Sequence, residues 1–145
     1  MIENFKNIGI SLGKSDALDL RARAKDMTGT AIIDEEVKIP KFINKDYSNW
    51  PVGSPVIDEG QVWTLIQPYD ATVHTEHPSQ LRALWGLCHT KNSDKAKMWV
   101  DPFGTSGMYM IDECYKDSMG IIYRAKQDNL VYDAKALPEA WMIVS

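Results

Sequence analysis

Hydrophobic and polar positions change their pattern near residue 45 of the chain. Between Ser15 and Gly29, small and aliphatic residues recur at helical spacing, with acidic residues early and basic residues late. Ser15 is a suitable N-cap and Gly29 a suitable C-cap, so the pattern predicts a helix over residues 15–29. A helix this short is marginal alone and needs a surface to pack on.

The next segment, residues 30–42, contains an acidic triplet and Pro40. Both features argue against a central strand and predict an exposed, extended segment. We therefore predict an N-terminal helical and extended anchoring arm over residues 1–45. Two roles are open for it: docking on another protein, or covering the core of the remaining chain.

Beyond Tyr47 the chain alternates short apolar segments with turn residues. The best strand candidates are residues 61–66 (QVWTLI) and 120–126 (GIIYRAK), which are rich in β-branched and aromatic residues. Glycine, proline and acidic turn residues interrupt the pattern often, which is typical of a small β fold. The expected fold class is mainly β, with an N-terminal helix and extended arm followed by two small related antiparallel β units.

An internal repeat is the basis for the two units. Displacing the sequence by 60 residues aligns several special positions: Gly60 with Gly120, Trp63 with Tyr123, Gln67 with Gln127, and Pro78 with Pro138. Each copy then ends in a tryptophan, Trp85 or Trp141. The repeat predicts a first unit over residues 46–90, a linker over 91–106 and a second unit over 107–145.

Composition argues against two classes of protein, those that bind nucleic acid and those that span a membrane. The net charge of -4 is unlike the basic surface of a nucleic-acid-binding protein. No apolar run approaches the roughly 20 residues that a membrane helix needs, so no membrane contact is expected. The chain has five Trp and six Tyr, and none of them precedes Tyr47. The aromatic surplus therefore belongs to the predicted β units.

Carbohydrate binding is one use for such a surplus, because exposed aromatic rings stack on the apolar faces of sugars. The candidate carbohydrate-binding residues are Trp50, Trp63, Tyr109, Tyr123, Tyr132 and Trp141. The alternative is that most of them fill the small cores, as we expect for the closing residues Trp85 and Trp141.

Other chemistry has less support in the sequence. His74 and His77 stand three residues apart in a polar loop, and neither cysteine has a partner at zinc-finger spacing, so no metal or other cofactor is expected. Cys88 and Cys114 either form one disulfide or remain free and buried, and we favour free thiols. No nucleophile elbow occurs, and the acidic pairs fall at turns, so the chain is not expected to be an enzyme.

The repeat resembles the chitin-binding type 3 module, a small carbohydrate-binding family. The positions that carry the likeness in the first copy are Trp50, Gly53, Val56, Gly60, Trp63, Pro78 and Trp85. In the second copy they are Tyr109, Glu113, Tyr115, Gly120, Tyr123, Asp128, Asn129, Pro138 and Trp141. Ser54 in the first copy, and Asp112 with Glu113 in the second, depart from the family pattern. The resemblance implies a non-catalytic glycan-binding fold.

The layout of the whole chain is similar to that of accessory proteins from the structural modules of tailed phages and prophages. The carriers are residues 13–30, the IPKF segment at 39–42 and residues 47–144. This resemblance implies a homo-oligomeric virion component, assembled in the host cytoplasm and attached to other virion proteins through residues 1–45. It leaves three roles open: a tail- or fibre-associated protein that binds host cell-wall glycan, a head fibre or capsid decoration without glycan affinity, and a carbohydrate-binding accessory of a lytic enzyme.

Overall fold

A computed structural model describes residues 16–144 of the chain. Helix α1 covers residues 16–23 and continues into a 3₁₀ turn, Ala24–Asp26. Helix α2, Gly29–Asp34, follows after Thr28, whose hydroxyl oxygen accepts a hydrogen bond from the Ala31 amide at 3.1 Å. A further 3₁₀ turn spans Glu36–Lys38. No helix within residues 16–144 is long and apolar enough to cross a membrane.

The N-terminal segment differs from the prediction in two places. Gly29 begins α2 instead of ending α1, and residues 30–38 are helical where an extended arm was predicted. The reason is burial: Ile32 and Ile33 are almost completely enclosed, and packing overrides their β propensity. The predicted N-cap Ser15 and the rest of residues 1–15 lie outside the described residues.

The described part of the arm covers the core of the first unit. One buried cluster joins α1 and α2 to the first sheet and contains Leu20, Ala24, Ile32, Ile33, Ile39, Val62 and Cys88. Apolar burial of this kind is what a short helix needs for stability. Two roles were open for the arm, and in the structure its described residues cover the core of the first unit.

The first sheet is antiparallel with the order β1-β2-β3. Strand β1 is Pro55–Asp58, β2 is Gln61–Leu65 and β3 is Trp85–Leu87. A two-residue turn, Glu59 and Gly60, joins β1 to β2, and both residues have positive φ. Such a turn matches the twist of a hairpin.

The second sheet has the order β4-β5-β6-β7. Its strands are β4 Lys97–Met98, β5 Cys114–Lys116, β6 Ile122–Ala125 and β7 Trp141–Ile143. Strands β5, β6 and β7 are antiparallel, whereas β4 runs parallel to β5. The mainly β fold class is confirmed, and so are strands within both predicted segments, 61–66 and 120–126.

The two units share their closing elements. Each hairpin is followed by a loop and a 3₁₀ turn that begins at a proline, Pro78–Gln80 or Pro138–Ala140. The closing tryptophan then pairs with the second hairpin strand, Trp85 opposite Leu65 and Trp141 opposite Ala125. These are the positions that the sequence repeat aligned.

Each unit also includes a segment that runs parallel to the first strand of its hairpin. In the first unit one parallel bridge joins Lys41 to Ile57, and in the second unit Met98 lies opposite Lys116. A 3₁₀ turn precedes the segment in both, over Glu36–Lys38 and Ser93–Lys95. The structural repeat therefore begins at residues 36 and 93, inside the predicted arm and the predicted linker.

An aromatic residue directly follows each parallel segment and meets the closing tryptophan. Phe42 contacts Trp85 edge-to-face, with ring centres 6.0 Å apart and planes at 90°. Trp99 contacts Trp141 with the same 6.0 Å separation and planes at 79°. Edge-to-face contact is a preferred arrangement of aromatic pairs, and in each unit this pair is one of three such contacts of the closing tryptophan.

Residues 88–107 hold the two units together. Thr90 bridges to Cys114 on the second sheet, and the Gln61 side-chain amide donates to the Met98 carbonyl at 2.9 Å. Lys97 forms an ion pair with Glu36 at 2.5 Å. Residues 88–92 are thus an ordered connector, and from residue 93 onward the segment predicted as a linker belongs to the second unit.

Cys88 and Cys114 are free and buried in the structure, as expected from the sequence. Burial raises the pKa of the Cys88 thiol to about 12. Because the thiolate is the reactive form, Cys88 is suited to packing and unsuited to chemistry.

The contact between α2 and the connector can be tested at Gly29. A Cβ atom at this position would lie 2.4 Å from the His89 carbonyl oxygen, a backbone atom that cannot move aside. We expect Gly29→Ala to lower the free energy of unfolding by about 1–3 kcal/mol, measured by urea denaturation. Gly86→Ala is the control, because its Cβ would meet no atom closer than 3.4 Å. Equal losses in the two variants would contradict the close approach.

Candidate functional site

A groove of about 760 Å³ lies on the second unit. Its aromatic lining comes from β5, β6, β7 and the residue after β4, and consists of Trp99, Tyr115, Tyr123 and Trp141. Apolar side chains on strands and turns add to the walls: Met98, Met119, Pro138 and Ile143. Polar residues also line it and are fewer: Lys116, Asp117, Ser118, Asp133 and Lys135. Apolar walls with a few placed polar groups are typical of a small-molecule site.

Trp99 is held in the groove by an aromatic stack. Its ring lies 4.6 Å from that of Tyr109 with an angle of 9° between the planes. The ring of His89 stacks on Tyr109 in turn, with the ring centres 3.6 Å apart. The Trp99 indole also donates a hydrogen bond to Asp101 at 2.7 Å. Trp99 is therefore a rigid, half-buried ring at the groove, supported from the boundary between the units.

Asp117 is the polar group with the most defined orientation. One of its carboxylate oxygens accepts hydrogen bonds from the amides of Met119 and Ile121, at 2.9 and 3.0 Å. Its other oxygen accepts a longer bond of 3.3 Å from the Tyr123 hydroxyl. Burial and the nearby Asp117 charge raise the pKa of Tyr123 above its ordinary value. The phenol thus stays protonated, and the second oxygen of Asp117 retains capacity to accept another donor.

The structure brings two of the six sequence candidates together in this groove, Tyr123 and Trp141. The structure corrects the assignment of Trp63 and Tyr109 as binding residues. They are 1% and 2% exposed, so they fill the cores of the two units and present no ring face for stacking. Trp141 is itself 5% exposed and offers the groove only part of its ring.

The remaining two candidates lie elsewhere. Tyr132 is 60% exposed but does not line the groove; its carbonyl accepts a hydrogen bond from the Trp141 indole at 3.0 Å. Trp50 belongs to the first unit, where the guanidinium of Arg21 covers one ring face at 3.5 Å. Lys45 lies 4.8 Å from the same ring. Trp50 is thus a cation–π partner of α1 and less available to a ligand.

Trp99 and Asp117 are absent from the sequence candidates. The parallel pairing of β4 with β5 joins residues 18 positions apart, Lys97 and Tyr115, and leaves no local periodicity by which to recognise Trp99 as a strand-end residue. Asp117 had a weak signal, because it opens the turn Asp117-Ser118-Met119-Gly120. An acidic residue at a turn is ordinarily solvated, and only the fold shows that this one faces a groove.

A cluster of three polar side chains occupies the corresponding side of the first unit. His77 Nδ1 lies 2.8 Å from a carboxylate oxygen of Asp58, and this hydrogen bond raises the pKa of His77. One ligand atom from each of Asp58, Glu59 and His77 falls within 4.8 Å of the others. Sequence reasoning had considered His77 beside His74, whereas the structure pairs His77 with a strand residue. Asp58 and His77 already satisfy each other, so we describe the cluster as an ion pair.

His89 lies at the boundary between the units and at the base of the aromatic stack. Its Nε2 is 2.8 Å from the Gly107 carbonyl oxygen. A carbonyl can only accept, so Nε2 carries the proton, and the ring is neutral because burial lowers the pKa of His89 to about 4. A second cavity of about 470 Å³ lies here, bordered also by Cys88 and Glu113.

Comparisons of the chain with protein-family models and with curated proteins gave no match.

The neutral state of His89 predicts a pH dependence of stability. Its pKa is about 4 in the folded protein and 6.5 ordinarily, so between these values the unfolded chain binds more protons. The free energy of unfolding should fall by about 1.4 kcal/mol per pH unit on acidification, to a total of about 3 kcal/mol between pH 6.5 and 4. Urea denaturation across this range measures the effect.

His89→Gln is the matched variant, since its side-chain amide can still donate to the Gly107 carbonyl and does not titrate. Burial raises the pKa of Glu113, which acts in the opposite direction and is common to both proteins. The difference between the two pH profiles therefore isolates His89. Parallel profiles would contradict a buried neutral imidazole.

Proposed function

We propose that the chain is a non-catalytic, glycan-binding virion accessory protein and that the groove of the second unit is its glycan site. The observation that carries the proposal is the half-buried ring of Trp99, which stacks on the Tyr109 ring and borders a groove that polar groups also line. A fixed aromatic ring loses little conformational entropy when a ligand binds.

The chemistry of the groove suits a saccharide. Pyranose rings have apolar C–H faces that pack on indole and phenol rings, and hydroxyl groups at their edges that need hydrogen-bond partners. Trp99 and Tyr123 supply the rings, and Asp117, Asp133 and Lys135 supply charged partners around them. A cell-wall glycan of the host is the ligand that this proposal assigns to the groove.

Catalysis is not part of the proposal. A glycosidase needs two carboxyl groups, one of them free to give or take a proton at the glycosidic bond. Asp117 already accepts three hydrogen bonds, and Asp133 accepts one from the Ala136 amide at 3.0 Å. Both carboxylates are therefore suited to orienting hydroxyl groups.

Attachment to a particle rests on the resemblance to phage accessory proteins. Leu20, Ala24 and Ile39 are buried in the first unit, so this part of residues 1–45 already has a structural role. We therefore propose that residues 1–15 attach the chain to other virion proteins. The proposal keeps the expectation that the protein is a homo-oligomer. A purely structural decoration protein and an accessory of a lytic enzyme are the alternatives.

Loss of the groove rings should abolish glycan binding. We expect Trp99→Leu and Tyr123→Ala each to weaken binding about tenfold or more, because each variant removes an aromatic face on which a sugar ring would stack. Tryptophan fluorescence during titration with chitin oligosaccharides and host cell-wall fragments measures affinity, and thermal unfolding verifies that the variants fold. Trp50→Ala is the control on the first unit. An unmodified protein that binds none of these glycans would favour the purely structural alternative.

Removing residues 1–15 tests attachment separately. The truncated chain keeps every described contact of the two units, so we expect it to fold, to bind glycan and to be missing from purified particles. Particle composition after complementation of a phage lacking this protein gives the answer. Truncated protein found in particles at the normal level would exclude residues 1–15 as the attachment segment.

A further inference from the structure

Asp58 and Asp117 hold equivalent places in the two units. Each stands where the first hairpin strand meets its turn, one residue after the position that pairs with the parallel segment, Ile57 or Lys116. Equivalent aromatic residues, Phe42 and Trp99, follow directly on the parallel segment. Each unit therefore places one carboxylate near one aromatic ring that contacts the closing tryptophan.

In the first unit a side chain of the protein itself occupies this place. His77 packs its ring against Phe42, with centres 5.7 Å apart, and bonds through Nδ1 to the Asp58 carboxylate at 2.8 Å. His77 thus packs its imidazole ring on Phe42 and uses a ring nitrogen to bond to Asp58. The hydrogen bond occupies one oxygen of the Asp58 carboxylate, and the ring contact covers Phe42.

In the second unit the residue equivalent to His77 cannot do this. His77 directly precedes Pro78 at the start of a 3₁₀ turn, and Leu137 directly precedes Pro138. Leu137 has no polar atom in its side chain and packs against the core of the second unit. Asp117 and Trp99 instead border the open groove of about 760 Å³.

We infer that the groove binds a pyranose ring in the place that His77 takes in the first unit, with a sugar hydroxyl donating to the Asp117 oxygen that accepts the long hydrogen bond from Tyr123. The inference rests on the proposed glycan function and adds the specificity-determining residue. The ligand class that follows is a glycan with an unsubstituted hydroxyl beside the ring face that packs on Trp99. A glycan acidic at this position would be repelled by the Asp117 carboxylate.

Two variants of the second unit and one of the first test this assignment. Asp117→Asn supplies an amide oxygen that can accept from the amides of the turn but removes the charge, and we expect affinity for chitotriose to fall about tenfold or more. Trp99→Leu removes the ring on which the sugar packs, and we expect it also to weaken binding about tenfold or more. His77→Ala alters only the first unit and should leave the affinity unchanged.

The readout is isothermal titration with chitotriose and with host cell-wall fragments, with thermal unfolding to verify the fold of each variant. Normal affinity in Asp117→Asn, with binding lost in Trp99→Leu, would overturn the role of Asp117 and leave the glycan site intact. Absence of binding to every probe by the unmodified protein would overturn the proposed function and this inference together. Loss of binding in His77→Ala would place the ligand on the first unit and overturn the inference alone.

Discussion

Edge-to-face packing of an aromatic ring on a closing tryptophan is the interaction on which both units depend. Sheets of three or four very short strands bury little surface, so aromatic rings from outside the hairpin must complete each core. Phe42 and Trp99 meet that requirement from segments that run parallel to the hairpins. The same requirement explains why residues before each sequence repeat belong to the folded unit.

Much of the β framework could be predicted from the sequence, because its signals are local. Gly60 and Gly120 mark hairpin turns through positive φ, and Pro78 and Pro138 begin 3₁₀ turns in both units. The N-terminal segment was harder, since Ile32 and Ile33 favour strands by propensity and become helical only through burial. The parallel pairings of Lys41 with Ile57 and of Met98 with Lys116 could not be predicted either, because they leave no hydrophobic alternation in the sequence.

The candidate site was predicted less completely than the fold. Tyr123 and Trp141 were found because the repeat aligns them with other aromatic residues. Trp63 and Tyr109 were misplaced, since neither the short strand β2 nor the single bridge at Tyr109 reveals in the sequence which side is buried. Trp99 depends on contacts with Tyr109 and Asp101 for its orientation, and such tertiary contacts follow only from the folded chain.

The shortness of the strands has a consequence for self-association. Strand β7 lies at the edge of its sheet and exposes Met142 and Ile143, features that ordinarily invite another chain to extend the sheet. It is only three residues long, as is β3 at the edge of the first sheet. An added strand would gain few backbone hydrogen bonds at either edge. The fold can therefore carry apolar residues at a sheet edge without offering a long template for aggregation.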